Sequence, residues 1–216
     1  MTPLSDAALL DLELPIRGLA AGLIIAAPVG PVNVLCIQRS LQKGWRAGIL
    51  SGLGAAFADT LYGGIAGFGI TLVIAFLIRE EFWFRLIGGI VLMGIGIIYY
   101  SMPAKKLGER KDDSSTHSDI VSTFLLAATN PTTVLSFLVV LATLGLGEQR
   151  PLWQTSLLVG GIFCGSMAWW IILASGANML RDRMTDESMV WLNRIGGIAI
   201  GLFGLVNVVL SRVYKH

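Results

Sequence analysis

One carboxylate, Asp59, lies well inside an apolar block of this sequence. A charged side chain at the centre of a bilayer costs at least about 2.5–3.5 kcal/mol on insertion scales. Such a residue is kept where it binds a cation, a proton or a substrate amine. The simpler alternative is a neutral acid hydrogen-bonded across a helix interface. On the helical face of Asp59 stand Gly52, Ala55, Ala56, Gly63 and Ala66, with Tyr62 alongside. Small residues at these spacings leave room for another backbone or a ligand to come close.

The second chemical feature is Ala27-Pro28-Val29-Gly30-Pro31-Val32-Asn33. Each proline removes a backbone donor and clashes with the preceding turn, while glycine permits unusual dihedrals. In hydrocarbon the freed carbonyls need partners in protein or in a water-lined cavity. A helix broken here offers carbonyls and helix ends to a ligand; a plain proline kink is the alternative. Asn130-Pro131-Thr132 repeats the break in the second half. Asn33 and Asn130 can each donate and accept. They suit a zwitterion with its ammonium near Asp59 and its carboxylate near helix N-termini, or they cap the broken half-helices. The candidate binding set is therefore Pro28, Gly30, Pro31, Asn33, Asp59, Asn130, Pro131 and Thr132, with Asp59 also the proton-coupling group. Thr133, Ser166, Ser175 and Asn178 line a path or make ordinary helix–helix hydrogen bonds.

Other chemistries lack their residues. His117 and His216 fall in a polar loop and at the C-terminus, so no serine–histidine pair sits within an apolar block. No Cys/His or carboxylate cluster suggests a metal site, and no glycine-rich phosphate loop appears. Cys36 and Cys164 read as small packing residues. The expectation is a protein that is not an enzyme and carries no cofactor or metal.

The elements that position these residues are read from hydropathy. Hydrophobic residues make up 54% of the 216 and charged ones 14%, against about 25% charged in ordinary soluble domains. The charges cluster and leave six apolar blocks, Gly18–Gln38, Ala47–Ile78, Phe82–Ser101, Ile120–Gly147, Leu152–Leu180 and Met189–Leu210. The second block, as a single helix, would span about 48 Å, longer than the roughly 30 Å core; it is nonetheless expected to be one helix. Trp83, Trp153 and Trp191 near block ends read as interfacial anchors. Trp169 and Trp170, deep in the fifth block, read as packing residues. Arg85 and Arg194 read as snorkelling to headgroups. Glycine pairs such as Gly161/Gly165 and Gly197/Gly201 read as close-packing positions. No basic stripe interleaved with aromatics points to nucleic acid, and no positive n-region marks a cleavable signal.

The stretch 102–119 is the longest polar segment and reads as a mobile connecting loop. The halves on either side resemble each other. Pro31-Val32-Asn33-Val34-Leu35 parallels Pro131-Thr132-Thr133-Val134-Leu135, and Ile87-Gly88-Gly89-Ile90 parallels Ile195-Gly196-Gly197-Ile198. An odd number of spans per copy inverts the second, an arrangement typical of secondary transporters. The fold expected is all-α: one polytopic membrane domain over 1–216, with six transmembrane helices as two inverted repeats of three. Repeat one is 16–101, the loop 102–119 and repeat two 120–210, and the first and fourth helices are broken. The side richer in lysine and arginine is cytoplasmic by the positive-inside rule, which places both termini outside.

The run APVGPVNVLCIQRSLQKGWRAGILSGLGAAFADTLYGGIAGFG resembles the start of the lysine exporter (LysE/RhtB-type) family of amino-acid translocators. That family shows a broken first helix with a Pro-Gly-Pro-like motif, a basic loop, and a Gly/Ala-rich helix carrying an acid. Asn130-Pro131 matches its second-half motif. Here the first motif is the expanded Pro28-Val29-Gly30-Pro31, and Thr132 stands where a lysine often follows, so ligand handling is expected to differ. The resemblance implies export of amino acids or similar small metabolites across a bacterial inner membrane, driven by proton antiport with alternating access, often by a dimer. The implied partners are a small amino acid or derivative, protons and the lipid bilayer. A channel and a divalent-cation exporter are the rival expectations.

Overall fold

The protein, seen in a computed structural model, is described over residues 4–28, 30–68, 76, 79–101, 116–130, 133, 136–137, 140 and 151–212. Every described element is a helix. In chain order these are α1 (Leu4–Ala26), α2 (Pro31–Lys43), α3 (Trp45–Gly67), α4 (Glu81–Ser101), α5 (Thr116–Ala128), α6 (Leu152–Leu180) and α7 (Asp186–Ser211), with one 3-10 turn, Arg181–Arg183, before α7.

Four helices are long and apolar enough to cross a membrane: Trp45–Gly67, Glu81–Ser101, Leu152–Leu180 and Val190–Ser211. The pair Glu13–Ala26 and Pro31–Lys43, bent by 83°, makes a fifth span if it crosses as one unit. The chain is thus a multi-pass membrane protein. Ile97, Ile172, Ile195 and Val209 are exposed on these helices, as a lipid-facing surface requires.

The break between α1 and α2 falls where the prolines dictate. The Ala27 N–H still reaches Leu23 O at 3.0 Å, and then the ladder stops. Pro31 opens α2 at a position whose missing donor costs nothing. Gly44, at φ +96°, turns the chain from α2 into α3 in a conformation that favours glycine.

Glycines set the closest helix contacts. A Cβ on Gly22 of α1 would lie 2.8 Å from Ser166 N on α6, and one on Gly89 of α4 would lie 2.7 Å from Gly204 O on α7. A Cβ on Gly54 of α3 would lie 3.0 Å from Phe124 N on α5. Backbones this close maximise dispersion contact, which drives helix association in lipid. The most extensive packings are α4 with α7 and α1 with α6, followed by α3 with α5 and with α6.

Four expectations need correction. The first helix begins at Leu4 rather than near residue 16, because residues before the apolar block also suit a helix and carry acids in its early turns. The second block is not one helix to Ile78: α3 stops at Gly67, with Phe68 N–H closing on Gly64 O at 2.8 Å. Gly63, Gly64 and Gly67 weaken its end, each by about 1 kcal/mol relative to alanine. The connecting segment ends before 119, since α5 starts at Thr116 and Asp119 is buried. Arg85 does not snorkel: it is 6% exposed and pairs with Glu81 at 2.6 Å, an (i, i+4) partner that neutralises it inside the protein. Arg194, Trp83, Trp153 and Trp191 are exposed as expected.

Candidate functional site

A cavity of about 60 Å³ lies where the end of α1, the start of α2, the middle of α3, the end of α5 and the middle of α6 meet. A single water needs only about 10–15 Å³ of such space. Its wall includes Pro28, Gly30, Asn33, Asp59 and Asn130, five of the residues singled out from sequence, together with Ala55, Thr133 and Trp170. Pro31 is buried at the head of α2 without lining the cavity. Pro131 and Thr132 lie outside the described residues.

Asp59 is 4% exposed. Its Oδ2 accepts a hydrogen bond from Ser166 Oγ at 2.6 Å, and Trp170 Nε1 donates to the same Ser166 Oγ at 3.0 Å. Ser166 sits on α6 facing α3, held there by the close α1–α6 and α3–α6 packing. No cationic side chain reaches Asp59 among the described residues, and Oδ1 has no hydrogen-bond partner among them.

Each helix break satisfies a freed carbonyl with a side chain. At the first, Asn33 Nδ2 donates to Pro28 O at 2.7 Å, and Asn33 Oδ1 accepts from Trp169 Nε1 at 3.0 Å. Asn33 therefore braces the break while also lining the cavity. At the second, the Tyr62 hydroxyl donates to Ala128 O. Asn130, 7% exposed, accepts the Thr133 N–H at 3.0 Å through its own carbonyl. Thr133, Ser136, Phe137 and Val140 are again helical beyond the break.

Trp170 lies in the buried core and Trp169 packs against it, as sequence reasoning expected, but their hydrogen bonds went unforeseen. Both indole N–H groups bond to residues of the site. The signal was present: an indole donor within a hydrophobic span must find an acceptor. Ser166, four residues before Trp170, was the available partner. Ser175 is an ordinary interhelical partner, accepting from Trp45 Nε1 at 3.0 Å.

A second polar cluster went unread. Arg39 of α2 donates to Ser51 Oγ of α3 at 2.9 Å and to Asp119 O, Thr123 Oγ1 and Ser122 Oγ of α5 at 2.9, 2.7 and 2.8 Å. The Asp119 carboxylate lies 3.4 Å from Arg39 Nε and 2.8 Å from Lys43 Nζ. Three helices are tied together by one guanidinium, whose planar fork of donors suits such a role.

The fold is that of a helical, multi-pass membrane protein. The profile of the LysE type translocator family matches residues 23–211, and the chain belongs to that family. It is a family of transporters, not of enzymes. Over 189 residues the chain is 29% identical to a Bacillus subtilis (strain 168) protein named "Putative amino acid efflux protein YcgF", covering 85% of this chain and 89% of that one. Over 173 residues it is 27% identical to "Uncharacterized membrane protein YahN" of Escherichia coli (strain K12), covering 78% and 77%. No solved structure matches it at a significant level.

Proposed function

We propose that the protein exports a small zwitterionic amino acid or close derivative from the bacterial cytoplasm by proton antiport with alternating access. The observation that carries this reading is the cavity at the two helix breaks, in whose wall Asp59 keeps one carboxylate oxygen without a hydrogen-bond partner among the described residues. A buried carboxylate supplied with one neutral donor and no cation takes its counter-charge from outside, as a proton or as a substrate ammonium. The two would compete for Asp59, which couples their movements. The first turn of α2 has no side-chain cap, so its N-terminus is left to attract the substrate carboxylate.

Six spans in two inverted repeats fit the packing. Exchanging the first three spans with the last three turns the α1–α6 contact into the α5–α3 contact and maps α4–α7 onto itself. Rocking of one repeat against the other opens the cavity to each side in turn. Arg39 and Asp119 lie along α2 and α5, about 9 Å and about 12 Å from the nearest cavity-lining residues Asn33 and Ala127 at 1.5 Å per residue. The loop charges put this end in the cytoplasm and both termini outside. The protein works in the inner membrane, as a homodimer in keeping with its family.

The test is release of amino acids from cells preloaded with mixed dipeptides, comparing wild type, Asp59→Asn and empty vector. Faster release of one or a few amino acids, lost in the variant, is expected. Full proton-driven export by Asp59→Asn would remove Asp59 from the mechanism.

A further inference from the structure

The export mechanism just described leaves Trp170 unused, yet this residue lines the cavity while only 3% exposed. It is held from two directions. Nε1 donates to Ser166 Oγ, the same hydroxyl that donates to Asp59. Behind the ring lies Gly52 of α3, so close that a Cβ there would come within 2.8 Å of Trp170 Cγ. A side chain with two rotatable bonds, clamped by a hydrogen bond and by a backbone, cannot swing aside to admit a larger ligand. The neighbouring lining, Ala55 and Ala127, is small and contributes no second charge.

We infer that Trp170 is the specificity-determining wall of the site, set by Gly52 and Ser166 to limit the side chain of the substrate that pairs with Asp59. The limit is one of size: the ring ends the space beside the carboxylate, so each added methylene of the ligand meets a wall that does not yield. It is also one of charge, because among the described lining residues a cationic side chain finds no carboxylate besides the one its own ammonium occupies. This inference rests on the export function proposed above.

The experiment uses the full-length protein in liposomes. Counterflow of labelled glycine, alanine, serine, leucine, phenylalanine and lysine is measured for wild type, Trp170→Phe and Trp170→Leu. Wild type is expected to prefer the short uncharged amino acids over leucine and phenylalanine by about tenfold or more, a ratio one or two methylenes can set. Trp170→Leu is expected to bring that ratio close to one by gaining the longer substrates. Trp170→Phe, which keeps a ring and is the gentler change for folding, is expected to fall between. Exchange of the short amino acids with the wild-type size preference intact in either folded variant overturns the wall. Exchange of no amino acid by wild type overturns the export reading itself, and the wall with it.

Discussion

Asp59 and Asp119 are buried to the same degree, each 4% exposed, and their surroundings treat them in opposite ways. Asp119 meets Arg39 at 3.4 Å and Lys43 at 2.8 Å, and the Arg39 donors that remain are taken by hydroxyls and a carbonyl. Asp59 meets one serine hydroxyl at 2.6 Å, and beyond it a cavity. The first acid has its counter-ions built into the protein, so its charge serves to fasten α2, α3 and α5. The second meets no cation among the described residues, and in the mechanism proposed above its counter-charge comes from a proton or a substrate ammonium. Burial alone does not separate the two acids; their partners do.

That contrast can be broken most severely at Asp59. Asp59→Asn is expected to abolish concentrative export while membrane yield and thermal stability stay near wild type, since the amide oxygen still accepts from Ser166. Transport into preloaded vesicles and the melting temperature in detergent check both halves. Asp119→Asn should do the reverse, costing about 3–5 kcal/mol of stability because Arg39 is left buried with too little counter-charge. Thermal unfolding of the purified variant measures this.

The comparison sharpens in a double variant. If Asp119 is structural, replacing both partners, Arg39→Met with Asp119→Leu, should return most of the stability lost by Asp119→Asn alone, since removing a buried pair together is often neutral. A double variant no more stable than the single one would count against the fastening role. The smallest effects lie in the braces. Ser166→Ala strips a partner from both Asp59 Oδ2 and Trp170 Nε1, and Tyr62→Phe strips one from Ala128 O; each lost partner should cost about 1–3 kcal/mol. Ser166→Ala should also slow export and Tyr62→Phe should affect it less, which parallel melting and flux assays would show.

The paired breaks and the acid were legible in the chain because lipid makes them conspicuous. A proline, an asparagine or an aspartate within an apolar run stands out, and five of the six described candidate residues line one cavity. The Arg39–Asp119 cluster was illegible for the opposite reason. Asp119 follows Ser118 at the edge of a polar run, where sequence shows an ordinary loop charge. Only the start of α5 at Thr116 brings it against α2. The end of α3 was misplaced because hydropathy measures partition into lipid, not helix continuity, and Gly63, Gly64 and Gly67 count as mildly apolar while they weaken a helix.

The sequence by itself determined that the chain enters a membrane, that its helices break at Pro28–Pro31 and near Asn130, and that one acid stands inside the spans. These follow from local costs: apolar length, missing backbone donors and the price of a charge in hydrocarbon. Tertiary structure alone decided which residues share a cavity, that Asn33 braces a break, that Trp170 lines the cavity, and that Asp119 meets cations while Asp59 meets none among the described residues. Those depend on which helix faces which, and that is settled by close glycine contacts between segments far apart in the chain.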